Sequence, residues 1–172
     1  MSRPLHVSEL RYLSAATAYS GRGTNNLCVQ WSVALALDVK IGHVTFGTLR
    51  AANDAEAEVI ENASREPFIH CWVEVGEATV LAPTTIKRTG GVLVPMLRSS
   101  YYEINAAKDV KRVARADFER IVRKHGVVSA LRHLSPRFGS GKIVEDLLNA
   151  AGVRWRIAGE NRSLLPALEV QS

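Results

Sequence analysis

The strongest alternation of apolar and polar positions runs from Pro67 to Thr85, PFIHCWVEVGEATVLAPTT, with the two-residue period of a strand, a turn at Gly76-Glu77 and a return through Thr79-Val80-Leu81. On such a hairpin His70, Trp72 and Glu74 share one face, and Cys71, Val73 and Val75 share the other. Upstream, Leu27, Trp31, Ala34 and Leu35 recur at three- and four-residue steps. This predicts a helix to about Lys40, with Asn25 or Asn26 as its N-cap, Cys28 in its first turn and Gly42 as its stop. Ser8 caps a first helix through Thr17, and Asn53-Asp54 caps an Ala/Glu-rich surface helix to about Ser64. Gly42 to Arg50 fits either a short strand or a turn with a helix.

Beyond the hairpin, Val92 to Val94 and Tyr101 to Ile104 read as strands that extend it into a small antiparallel sheet. From Ala116 the period becomes helical. Phe118, Ile121 and Val122 mark one helix stopped by Gly126, and Val127, Val128, Leu131 and Leu134 mark a second stopped by Pro136. Ser140 caps a third through Ile143, Val144, Leu147, Leu148 and Ala151, stopped by Gly152. Val153 to Ile157 alternates like an edge strand, with Arg154 and Arg156 on one face, and the tail from Gly159 is expected to be loosely ordered.

Composition narrows the classes. With 172 residues, 47% of them hydrophobic, the chain can bury a sizeable core in one domain, or one domain with a small appendage, and is not disordered. No apolar run reaches membrane-spanning length and the first residues lack the apolar region of a signal peptide, so a soluble, cytoplasmic protein without a membrane partner is expected. Two cysteines, Cys28 and Cys71, are too few for a disulfide scaffold, although a regulatory bridge between them is a minor alternative. Cys28, His70 and Cys71 lack the paired spacing of zinc ligands, so no metal and no cofactor is expected.

A thiol in the first turn of a helix is favoured as thiolate by the helix N-terminal partial charge, and His70 provides a base. Asn26-Leu27-Cys28, then His70-Cys71-Trp72-Val73-Glu74, then Ala82-Pro83-Thr84 resembles the transglutaminase-like branch of the papain-like cysteine enzymes. That family places its Cys at the start of a helix, its His at the head of a strand reading H-x-W-x-E, and an Asp-Pro-Thr on the return strand. The resemblance covers roughly Gly21 to Thr85 and implies acyl transfer by a Cys28-His70 pair. It departs at Ala82, where the family has the Asp that orients the His. A three-residue turn including Ala78 would pair His70 with Thr84, whose hydroxyl is then the expected orienter, whereas a two-residue turn would pair His70 with Pro83. Asn25 or Asn26, with the backbone N–H of Cys28, is the expected oxyanion donor, against the plainer role of helix cap. Trp72 and Trp31 are the expected substrate contacts, and Glu74 is expected to tie down the hairpin or a neighbouring helix.

The formal charge of +5 is unevenly spread. Between Lys108 and Lys142 the cations include Arg112, Arg115, Arg123, Lys124, Arg132 and Arg137, against Asp109, Asp117 and Glu119 alone. This is either a solvated face or a surface for an anion, with Arg123, Arg132 and Arg137 as the expected contacts. Phe138-Gly139-Ser140-Gly141-Lys142-Ile143 fails as a phosphate loop, because Pro136 replaces its first Gly and Ile143 its Ser or Thr.

The expected architecture is therefore α+β, a papain-like, transglutaminase-like core with a nucleophile helix packed on a small antiparallel sheet, and additional C-terminal helices. The core is placed at residues 1–106, a basic helical extension at 107–158 and the tail at 159–172. The expected activity is thiol-dependent acyl transfer on a protein or peptide amide or ester, of protease, deamidase or transglutaminase type. The alternatives are a catalytically silent binding module of the same fold, and a nucleic-acid binder acting through the basic helices.

Overall fold

The computed structural model describes residues 27–38, 40, 42–50, 67–82, 95–126, 141–158 and 163–167. Among them the chain forms α1 (Leu27–Asp38), β1 (Gly42–Leu49), β2 (Phe68–Val75), β3 (Thr79–Leu81), β4 (Met96–Leu97), α2 (Arg98–Ile104), β5 (Lys108–Arg112), α3 (Arg115–Lys124), α4 (Gly141–Ala150), β6 (Trp155–Ala158) and β7 (Ser163–Pro166). The class is mixed α+β, with a small antiparallel sheet and, among the described residues, four helices.

The main sheet has the order β4-β3-β2-β1-β5, and every neighbouring pair is antiparallel. Strand β2 is central, which explains its run of buried residues: a strand covered on both faces cannot leave alternate positions in water. Cys71, Val73 and Val75 join α1, Val44 and Phe46 of β1, Phe118, Ile121 and Val122 of α3, and Ile143, Leu147 and Leu148 of α4 in the larger core. Trp72, Leu49, Val80, Ala82 and Tyr101 form a second core on the opposite face. The sheet is thus sandwiched between α1, α3 and α4 on one side and the short α2 on the other.

Helix α1 is buried from Ser32 to Ala36, as its apolar sequence LCVQWSVALALD requires. Helices α3 and α4 end as the sequence predicts, with Gly126 (φ 68) and Gly152 (φ 70) taking the left-handed conformation that lets a helix stop. Gly42 to Leu49 resolves to a strand. Arg115 ties the layers together, its guanidinium donating to the carbonyls of Ala36 near the end of α1 and Gly42 at the start of β1, at 3.2 and 3.3 Å.

Three elements differ from expectation. Tyr101 to Ile104 belongs to helix α2, not to a strand. Neighbouring strand residues point to opposite faces, yet both tyrosine rings meet Trp72, with centroids at 5.3 Å for Tyr101 and 6.1 Å for Tyr102. A helical step of about 100° permits that. The tail is not wholly loose, since Ser163–Pro166 pairs with β6, and Arg156 Nε donates to the Pro166 carbonyl at 3.2 Å. Lys108–Arg112 is an edge strand beside β1, so the sheet crosses the expected boundary at residue 106. Basic side chains on an edge strand discourage further strand addition. The helices predicted at Ser8 to Thr17, Asn53 to Ser64 and Val127 to Leu134, and the strand at Val92 to Val94, lie outside the described residues.

Candidate functional site

The site forms where the first turn of α1 meets β2. Cys28 packs at the edge of the larger core, partly exposed, where the nearby backbone N–H groups of Cys71, Val29 and Cys28 itself favour its thiolate. A backbone N–H of a strand points sideways in the plane of its sheet, not to either face. The Cys28 thiol, close enough to the Cys71 N–H to be influenced by it, is near the His70–Cys71 peptide. Its charge, when it forms, would be felt by the Cys71 thiol on the α1 side and by the Tyr101 hydroxyl on the Trp72 side.

His70 is buried on the Trp72 face of β2. Its ring stacks on Trp72 at 6.4 Å with a 26° interplanar angle, and the Phe68 ring meets it edge-on at 6.0 Å. Burial pulls the His70 imidazole down to about 4, so it is neutral at pH 7. Burial likewise pushes the Cys28 thiol up to about 11, against the lowering by the N–H groups of Cys71, Val29 and Cys28. The helix N-terminus was expected to favour the thiolate; here desolvation outweighs it. The resting chemistry is thiol and neutral imidazole.

Cys71, the second cysteine, faces α1, and the two cysteines are not bridged. Its thiol is pushed up first by burial and then by Cys28. The turn between β2 and β3 has three residues, Gly76 to Ala78, because Val75 pairs with Thr79. That is the register in which the sequence sets Thr84 opposite His70. Thr84 itself, Asn25, Asn26, Arg132 and Arg137 lie outside the described residues, as does the side chain of Trp31. Ala82, where the resembled family carries Asp, is buried in the second core with Trp72 and Tyr101.

Trp72, expected to wall a cleft, is 0% exposed, with its indole N–H donating to Glu74 Oε1 at 3.2 Å. Glu74 is 1% exposed and carries the polar centre of this face. It also accepts the Tyr102 hydroxyl on Oε1, and on Oε2 it takes Arg112 Nε at 2.6 Å and Arg98 Nη1 at 3.4 Å. Burial alone would raise the Glu74 carboxyl, but hydrogen bonds from Tyr102 and Trp72 and the Arg112 charge hold it below its ordinary value. Glu74 was expected to tie down the hairpin or a neighbouring helix; its contacts reach helix α2 and also strand β5.

Tyr101, Tyr102, Arg98 and Arg112 were not anticipated at the site. A carboxylate inside a strand predicted to be buried calls for cations and donors nearby, and Arg98 and Arg112 follow within the next forty residues. On the basic surface Arg115 pairs with Glu119, Arg120 with Asp117, and Lys124 with Asp146, whereas Arg123 is exposed. Among the described residues no group of three or more His, Cys, Asp or Glu could hold a metal, and no helix is long and apolar enough to cross a membrane. No family model matches the chain, and searches of curated proteins and of solved structures found no match.

Proposed function

We propose that the chain is a transglutaminase-like core of papain-like type that performs acyl transfer through Cys28, with His70 as its base. What supports this reading is that the Cys28 thiol lies near enough to the Cys71 N–H to be influenced by it, at the peptide bond that joins His70 to Cys71. Neutral imidazole is the form a general base requires. As the Cys28 sulfur bonds to the acyl carbon, its proton passes to His70; the leaving group departs with the electrons of the broken bond and, where it is an amine, takes that proton from His70. Of the N–H groups near the sulfur, those of Cys28 and Val29 lie at the start of α1, where a developing oxyanion is also best stabilised, and that of Cys71 lies on β2. The acceptor that releases the acyl group is water in a hydrolase and an amine in a transferase.

A probe of this reading is p-nitrophenyl acetate. Acylation releases one equivalent of p-nitrophenolate as a burst and leaves one acetyl group on Cys28, located by peptide mass spectrometry. His70→Ala should suppress the burst, and Cys28→Ala should remove it. Absence of a burst in the parent, or acetyl on other residues alone, would defeat the reading.

The silent binding module has one observation in its favour: Ala82 fills its place in the core with a methyl group where the resembled family has a carboxylate. It predicts a parent protein as inert to the ester as Cys28→Ala.

A further inference from the structure

We propose that Glu74 is a positioning residue for His70, acting through the indole of Trp72. The imidazole is packed against Trp72 and Phe68, the Trp72 face lying 6.4 Å away by ring centroids, within the range of aromatic pairs that interact. An indole can turn about its side-chain torsions unless its N–H is held, and here Glu74 Oε1 holds it at 3.2 Å. Glu74 is held in turn from two elements: Tyr102 and Arg98 come from α2, and Arg112 comes from β5. Three residues at alternate positions of one strand thus form a relay, with the carboxylate fixing the indole and the indole fixing the imidazole.

The relay places a carboxylate in a new position relative to the resembled pattern. An acid at position 82 would reach the imidazole from the neighbouring strand; Glu74 acts along the same strand, four residues on and through a ring. It confers orientation without transferring charge to the imidazole, consistent with a base that rests neutral. Arg112 is 47% exposed by side chain, so the relay starts from a group at the sheet edge and ends at the centre of the sheet. For its catalytic consequence the proposal rests on the acyl-transfer reading, but the position of the ring can be measured without any substrate.

The test is side-chain NMR of His70 in the parent, Trp72→Phe, Glu74→Gln, the double variant and Arg112→Ala. In the parent, His70 ring protons should be shifted upfield by the Trp72 ring and titrate near 4. Trp72→Phe and Glu74→Gln should each reduce the upfield shift and move the titration midpoint upward by at least about one unit, as water reaches the ring. The double variant should match the single ones, because both break the same link. Arg112→Ala, the variant least disruptive to the core, should move both readings in the same direction by less. Unchanged His70 shifts and midpoint in folded single variants, or strictly additive changes in the double variant, would overturn the proposal. If the core variants do not fold, a parent-like His70 in Arg112→Ala overturns it. Failure of ester acylation with the NMR shifts as expected would remove the acyl-transfer reading and leave the relay standing.

Discussion

Arg112 Nε donates to Glu74 Oε2 across 2.6 Å although β1 lies between their strands. The long guanidinium side chain crosses β1 and brings the edge strand and the central strand to one carboxylate. Tyr102 and Arg98 attach α2 to the same group, so three elements share a buried anion.

Glu74→Ala should therefore cost about 2–4 kcal/mol, since it leaves the Trp72 N–H buried without its acceptor and two guanidiniums facing each other. Arg112→Ala should cost less, because Arg98 and Tyr102 still hold the carboxylate. Urea unfolding followed by fluorescence of the tryptophans measures both. Equal costs would show that the anion is not the shared element.

Acid stability follows from two groups with definite signs. Glu74 titrates below its ordinary value in the fold, so its contribution is complete above the unfolded carboxyl pKa and is lost as pH falls through the folded one. His70, a base lowered from 6.5 to about 4 by burial, contributes fully above 6.5, and that contribution is lost progressively as pH falls to about 4. The melting temperature should thus decline from pH 6.5 downward, before the carboxylates titrate. His70→Gln should flatten the upper part of that decline while leaving the acid limb due to Glu74. A parent melting temperature constant between pH 6.5 and 4.5 would contradict the burial of the imidazole.

Gly47 stands opposite His70 on β1, and a Cβ there would lie 2.5 Å from the tip of the Trp72 indole and 3.3 Å from the Lys108 carbonyl. Gly47→Ala should cost about 1–3 kcal/mol as the indole is pushed off its seat. Loss of the near-ultraviolet circular dichroism of the tryptophans should accompany it. An unchanged spectrum with unchanged stability would mean that the indole is not lodged over Gly47.

Ala106 (φ 44), at the turn from α2 into β5, holds a left-handed conformation that a Cβ disfavours. Ala106→Gly should stabilise by about 0.5–1 kcal/mol, read as a higher urea midpoint without a change of slope. Destabilisation would show that the methyl group contributes more by packing than the strain costs.

The hairpin and helices α1, α3 and α4 were legible because each carries its information locally. The hairpin has strict alternation, and α3 and α4 have apolar positions at helical steps followed by glycines. What the sequence hid depends on contacts between distant segments. Tyr101 and Tyr102 have strand-like propensity, and only the position of Trp72 on the sheet makes a helix the better solution. Lys108 to Arg112 reads as charge until β1 supplies a strand to pair with. At the site, Cys28 and His70 were legible as residue types, and the three-residue turn was one of two foreseen registers. The direction of the Cys28 shift was not, because helix-end polarity is visible in sequence while the desolvation that outweighs it comes from β2 and the packed core. Glu74 was legible as a tie, but its partners Arg98 and Arg112 are 24 and 38 residues away.

The central claim is that His70 serves the Cys28 thiol, and it is tested most directly by the pH dependence of Cys28 alkylation with iodoacetamide in a Cys71→Ser background, with and without His70→Ala. A thiol titrating near 11 would be roughly one part in ten thousand thiolate at pH 7 and would label slowly by itself. A resting thiolate–imidazolium pair would be rarer still, about one part in ten million, so His70 can act only by taking the proton as the sulfur attacks. If it does, labelling at pH 7 should exceed that slow rate, fall about tenfold or more in His70→Ala, and lose the excess as pH drops through about 4, where the imidazole protonates. Labelling that follows one thiol titration and is the same with and without His70 would contradict the account.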